Sequence, residues 1–301
     1  MILNKPCHLR YYAISQKTGP ARYFASLLLL TIALPVSGLT DPVIRLPGWS
    51  EVSFEQQSIW AAARSKLSIA ARNDDRLGAV WALQVEESFA RNRAQETLLM
   101  TPGSGYLLQR SRLTSGKNTR LKEYRYAAEK LVRIRREPDS SQDLPFAQWP
   151  VSSRRDIPYP ALEEGAVLTS MSALLLVAGS VVEAPGHAAT VYVHGDFNFY
   201  RVRLSVVGEE QLEVDYSLPG GQQRMQGERT AIVIDLQVDP VGTPQGDPEF
   251  SLLGLGGQVS ILLDKQYRLP LQVRGRAPRI GETYINLVAA DIGLTPGEQL
   301  P

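Results

Sequence analysis

Leu252 to Leu287 reads LLGLGGQVSILLDKQYRLPLQVRGRAPRIGETYINL, and the alternation inside it decides the fold class. Val259, Ile261 and Leu263 share one parity. Leu269, Leu271 and Val273 repeat the pattern after the Asp264-Lys265-Gln266 break, and Thr283, Ile285 and Leu287 repeat it again. Successive side chains on a strand point to opposite faces, so each run has one apolar and one wetter face. Three such runs separated by turn residues predict an antiparallel meander laid over a core.

Working back from that stretch, the β pattern continues. TAIVIDLQV places Ile232, Ile234 and Leu236 inward, and the Gly/Pro-rich DPVGTPQGDP that follows predicts a loop. QLEVDYSL ends at the Pro219-Gly220-Gly221 turn; FNFYRVRLSVV and TVYVHG, with Val191 and Val193 on one face, come before it. LTSMSALLLVA, Leu168 to Ala178, predicts a helix capped by Thr169 or Ser170 and ended by Gly179. It is apolar nearly all round, which implies burial against the sheet. Residues 137–160 carry five prolines and little periodicity, and are expected to form a long surface loop within one β-rich domain, 79–301.

The earlier part divides similarly. From Arg110 to Arg136 ten basic residues face only Glu123 and Glu129. As strands, LKEYRY and LVRIRR put Tyr124 and Tyr126 on one face and Arg133 and Arg135 on another. Trp81, Leu83 and Val85 alternate, so strands are expected from about Ala79. Residues 39–78 are expected to be an extended leader and a short helix. There Ser53 and Gln56 have capping-box spacing, and Ile59, Ala63, Leu67 and Ala70 would share one helical side. With 24 Gly and 20 Pro in 301 residues, the whole is expected to be mainly β. The shape expected is a strongly curved antiparallel sheet or part-open barrel of nine to twelve strands with one or two short helices.

Residues 1–38 stand apart. Lys5, Arg10, Lys17 and Arg22 precede or flank Tyr23–Pro35, an apolar run of thirteen, and Val36-Ser37-Gly38 offers small residues for cleavage. The run is short for a span of about 20 residues, so it has the form of a secretory signal peptide. An uncleaved anchor in the inner membrane is the alternative. Export predicts a periplasmic protein. Without the segment, 28 basic residues face 31 acidic ones, a balance that argues against a general nucleic-acid binder. The only cysteine is Cys7, which leaves the rest of the chain without disulfides, thiol nucleophiles or thiolate metal sites.

Several of these elements resemble an exported bacterial family of unknown function numbered 3108 (DUF3108). They are SMSALLLVAG, the strands of EAPGHAATVYVHGDFNFYRVRLSVVGEEQLEV, then LLDKQYRLPLQVRG and the closing RIGETYINL. EYRYAAEKLVRIRREP matches more faintly, and Leu175-Leu176 stand where the family has an aromatic pair. The resemblance implies an envelope protein with a curved antiparallel sheet, and it carries over no catalytic residue.

No pattern predicts a cofactor or metal. His187, His194 and Asp196 form the one general-base neighbourhood, against which stands an ordinary turn and strand end. Acidic doublets such as Glu86-Glu87 and Glu209-Glu210 point to opposite faces of a strand and cannot pair across a sugar. Gly254-Leu255-Gly256-Gly257 precedes a strand rather than a helix, so it is a turn and not a phosphate loop. Arg268, Arg274 and Arg276 share parity opposite the core, with Arg279 beyond them. Together with Arg133 and Arg135 they predict an arginine-rich face for an anionic lipid, an acidic glycan or an envelope protein. The function expected is a non-enzymatic binding or scaffolding module. The alternative is a hydrolase of an envelope polymer centred on His194 and Asp196.

Overall fold

The computed structural model describes residues 44–56, 63–139, 144–183, 185–219, 223–245, 250–278 and 280–293. They belong to one compact unit. Eight strands come first: β1 (Trp49–Gln56), β2 (Ala63–Asp74), β3 (Gly78–Phe89), β4 (Asn92–Met100), β5 (Leu107–Ser115), β6 (Arg120–Tyr126), β7 (Lys130–Arg136) and β8 (Val151–Pro158). A short β9 (Leu168–Ser170) and helix α1 (Leu174–Val181) lead to β10 (Ala188–His194), β11 (Phe199–Ser217) and β12 (Arg224–Val241). The meander read from sequence closes the chain as β13 (Gly256–Asp264), β14 (Pro270–Ala277) and β15 (Gly281–Ile292).

All fifteen strands form one sheet. Its order is β8-β7-β6-β5-β4-β3-β2-β1-β15-β14-β13-β12-β11-β10-β9, two meanders joined where β1 pairs antiparallel with β15. β9 lies parallel to its ladder neighbour, β10, and one further parallel pair joins β11 to β15. The chain requires strong curvature. A flat sheet of this order would separate its two edges by about 65 Å at the usual strand spacing. The edges are β8 and β9, joined by nine residues that reach at most roughly 35 Å. Ile157 of β8 and Leu168 of β9 share one buried cluster with Tyr124, Leu131, Tyr192 and Phe199, so the edges approach through side chains. The sheet is curved and open, not a closed barrel.

The final meander buries the residues its alternation selects: Val259, Ile261, Leu263, Leu269, Leu271, Val273, Ile285 and Leu287. Gly275 on β14 is required by close approach, because a Cβ there would lie 3.0 Å from the Gly256 carbonyl oxygen and 3.1 Å from Leu255 Cβ. Helix α1 fills the concavity with Leu174, Leu175, Leu176, Val177, Ala178 and Val181, all buried. It starts later than the sequence suggests and runs through Gly179, while Leu168–Ser170 are strand and neither hydroxyl caps it.

Three other expectations are corrected. Among the described residues the helix expected within 39–78 does not occur, and those residues form β1 and β2 with their flanking turns. Val52, Phe54, Leu67 and Ile69 are buried at period two, whereas Ala70 is exposed. Pairing of β1 with β15 and of β2 with β3 outweighs the weak helical preference of alanine. Ile59 lies outside the described residues. Residues 137–160 are not loop throughout, since β8 pairs along β7. As an edge strand it buries only Ile157, so it leaves no alternation to read. FNFYRVRLSVV and QLEVDYSL are one strand, β11, with a bulge between Val206 and Gly208. The strand count among the described residues is therefore fifteen, above the nine to twelve expected.

Candidate functional site

The ladder fixes which side chains of β4 to β7 share a face. Glu96 stands opposite Arg112, Arg110 opposite Tyr124, Lys122 opposite Arg135 and Tyr124 opposite Arg133. All of these lie on the inner, concave face. The two tyrosines thus share a face with Arg133 and Arg135, correcting the separation read from sequence: one-residue offsets between neighbouring strands are invisible until the register is known.

Against this face packs the turn between β10 and β11. Arg110 donates from Nε to Glu96 at 2.6 Å and from one Nη to the carbonyls of His194 (3.1 Å) and Gly195 (2.9 Å). The other Glu96 oxygen accepts from Ser172 at 2.7 Å. Burial pushes the Glu96 carboxyl up, but Arg110, Arg112 and the Ser172 hydroxyl outweigh it, leaving the group ionised. Asp196 accepts from Lys122 Nζ (2.6 Å), Tyr124 OH (2.5 Å) and Arg133 Nε (3.0 Å). Burial raises its pKa, and these donors more than reverse that, holding it well below the usual carboxylate range. Burial lifts the Tyr124 phenol to about 12.

His194 is fully buried. Its ring lies against Phe199 at 4.8 Å, Tyr124 at 5.4 Å and Tyr126 at 6.1 Å, and burial, then Arg110, drives its pKa well below 6.5. The imidazole is sealed and makes no hydrogen bond to Asp196 among the described residues. The pair therefore offers no base to a substrate. His187 lies elsewhere, its Nδ1 2.9 Å from the Val182 carbonyl. No group of three potential metal ligands occurs among the described residues.

The arginines singled out from the sequence do not converge along the sheet. Seven strands separate β7, with Arg133 and Arg135, from β14. Arg133 is 4% exposed and is committed to Asp196 and to the Phe197 ring, 4.5 Å away. Arg135 pairs with Glu137, Arg268 with Glu183 and Arg274 with Glu210. Arg276 is exposed and has no ion pair among the described residues. Arg279 lies outside them.

The outer face of the first meander holds a different cluster. Arg72 and Asp74 on β2, Arg76 in the following turn, Thr97 and Leu99 on β4, Gln109 and Ser111 on β5 and Arg125 on β6 line a cleft of about 490 Å³. Its floor is apolar: Val80, Ala82 and Leu99 are buried beneath the long side chains, as aliphatic arginine stems allow. Arg76 donates to Gln109 at 2.6 Å. Asp74 Oδ1 accepts the backbone N–H groups of Arg76 and Leu77, both at 3.0 Å, and these hold its carboxyl below the ordinary value. Arg72, Arg125, Thr97 and Ser111 make no side-chain hydrogen bond or salt bridge among the described residues. No family model, curated protein or solved structure matches this chain. The charged groups of the inner cluster are paired with each other, with His194 Nε2 and Arg135 Nε buried without a partner among the described residues, and the outer cluster presents guanidinium and hydroxyl donors outside any salt bridge. The sequence signal for it was the density of arginine alone, because four strands contribute.

Proposed function

We propose that this protein is a non-enzymatic binding module of the cell envelope that captures an oxyanion, the phosphate or carboxylate of a headgroup or acidic glycan, in its outer-face cleft. One observation carries the reading. Arg72 and Arg125 are exposed guanidiniums that make no salt bridge among the described residues and share the cleft with the hydroxyls of Thr97 and Ser111, the Asp74 carboxylate near Arg72 being held by backbone N–H groups, whereas the arginines of the inner face are already paired. Guanidinium forks and hydroxyls are the donor set that multi-oxygen anions require, and the cleft has the size of a small-ligand site. The form of residues 1–38 and the resemblance of the C-terminal half to the 3108 family support a place in the periplasm, or at the inner membrane if the segment is retained.

Titration calorimetry with inorganic phosphate and with glucuronate as probes tests the proposal. Binding is expected in the millimolar to high-micromolar range, about 4–6 kcal/mol, and weakening as ionic strength rises. Arg72→Glu with Arg125→Glu should reduce affinity at least tenfold with an unchanged circular dichroism spectrum. Arg274→Glu with Arg276→Glu should leave affinity unchanged. Loss of binding only in the second pair would move the site to β14, and failure of both probes to bind would overturn the reading.

A further inference from the structure

The hairpin turns of the first meander alternate between two rims of the sheet. One rim carries the turn between β3 and β4, the turn between β5 and β6, and the connection from β7 to β8. Its composition is unlike that of the opposite rim. Ser88-Phe89-Ala90-Arg91-Asn92-Arg93 and Ser115-Gly116-Lys117-Asn118-Thr119-Arg120 contain four basic residues and no acid. Phe89 is 54% exposed at the first tip, and Phe146 and Val151, in and after the β7–β8 connection, are each 52% exposed.

These groups are close together and rigidly held. Phe146, Leu113, Ser115, Thr119, Ser88 and Arg93 line one concavity. The two tips interlock: Gly116, at φ +117°, lies so close to Asn92 and the Arg91 carbonyl that a Cβ would sit 2.7–2.8 Å from their oxygens. Phe146 stacks edge-on against Trp149, 5.0 Å between centroids. Trp149 donates to the Leu144 carbonyl at 2.9 Å and its own carbonyl accepts from Arg136 at 2.9 Å. Glu55, Glu86 and Glu87 line the same concavity. Glu87 is bound by Arg112 at 2.6 Å and Glu55 by Arg64 at 3.3 Å, Glu137 in the β7–β8 connection pairs with Arg135, and Glu86 is three residues up its strand, roughly 10 Å from the tip.

Exposed aromatic and aliphatic side chains among unopposed cations match the boundary of an anionic bilayer, where rings enter the headgroup layer and cations meet phosphates. We propose that this rim docks the protein on the surface of an anionic phospholipid membrane, with Phe89 and Phe146 inserted and Arg91, Arg93 and Lys117 facing headgroups. The surface is separate from the cleft of Arg72 and Arg125, so the two ideas stand or fall independently.

A depth probe tests it in the full chain and separates this rim from any membrane contact made by residues 1–38. Asn118→Cys at the tip and Asp75→Cys on the opposite rim are each labelled with an environment-sensitive fluorophore in a Cys7→Ser background. Each is mixed with vesicles of phosphatidylcholine alone or with a third phosphatidylglycerol. The tip label should shift to the blue and be quenched by spin-labelled lipid only with the anionic vesicles, and the opposite label should stay in water. Arg91→Glu with Lys117→Glu should raise the lipid concentration for half the shift at least roughly 25-fold, since each of the two lost cations contributes about fivefold and the added carboxylates oppose binding further. Phe89→Ser with Phe146→Ser should abolish quenching. A tip label that stays in water, that responds equally to neutral vesicles, or that ignores both double variants overturns the proposal.

Discussion

His194 shows how one residue ties the fold to pH. It is buried among Phe199, Tyr124 and Tyr126, with Arg110, Arg133 and Asp196 as the charged groups around it. Two of those three are cations, and with burial they keep the ring neutral. In the unfolded chain the same ring titrates near 6.5. The folded pKa is the lower one, so the stabilisation is complete above about pH 6.5 and is lost as pH falls, at about 1.4 kcal/mol per unit. The ionised carboxylates Glu96 and Asp196 are also depressed, and their contribution is lost in a lower window, below the ordinary values of 4.5 and 3.8. Urea midpoints should therefore fall between pH 6.5 and 5, before Glu96 and Asp196 are protonated, and His194→Gln should flatten that interval. Identical midpoints at pH 7.5 and 5.5 in the unsubstituted protein would show that the ring is not sealed. The sequence marked His194 and Asp196 as neighbours, but whether they faced substrate or interior depended on β6 and β7, which no local pattern placed against them.

At the level of elements, the Glu96–Arg110 pair fastens the β10–β11 turn to β4 and β5, because Arg110 serves a carboxylate on one side and two carbonyls on the other. Glu96→Ala should cost about 3–5 kcal/mol, since it strands a buried guanidinium. Glu96→Met combined with Arg110→Met should recover most of that loss, which a double-mutant cycle by urea unfolding measures. Additive losses would mean that the two side chains act separately. What the sequence disclosed of these elements follows their burial. Strands whose core-facing residues alternate, such as β13, β14 and β3, could be read from that alternation even though part of each is buried on both faces. β8 could not, because an edge strand wet on both faces looks like loop. β2 was misread because Ser and Ala carry little side chain, so the two buried positions Leu67 and Ile69 fit either period within error until the partner strands are known. The outer cleft escaped for a related reason: Arg72, Arg76 and Arg125 are unremarkable surface residues in one dimension and become a group only once β2 to β6 are laid in register.

For the molecule as a whole, closure depends on the long β11–β12 arm as much as on the seam between β1 and β15. Past the bulge at Val206 to Gly208 the arm leaves β13, whose pairing with β12 covers only Ala231 to Leu236. It returns to the sheet where Ser217 pairs in parallel with Ala289 and donates from Oγ to the Val288 carbonyl at 3.2 Å. Tyr216 and Leu218 are buried there, so the arm covers core that an open curved sheet would otherwise expose. This gives a direct check on the curvature. Neighbouring strands lie about 4.8 Å apart, within the range a disulfide spans, and Cys7 is the only native cysteine. In a Cys7→Ser background, Ser217→Cys with Ala289→Cys should oxidise readily and stabilise the protein by roughly 2–4 kcal/mol against its reduced form. Non-reducing electrophoresis and the shift in urea midpoint report the two effects. If the bridge fails to form while the single variants fold, the arm does not rest on β15, and the core beneath Tyr216 must be closed in another way.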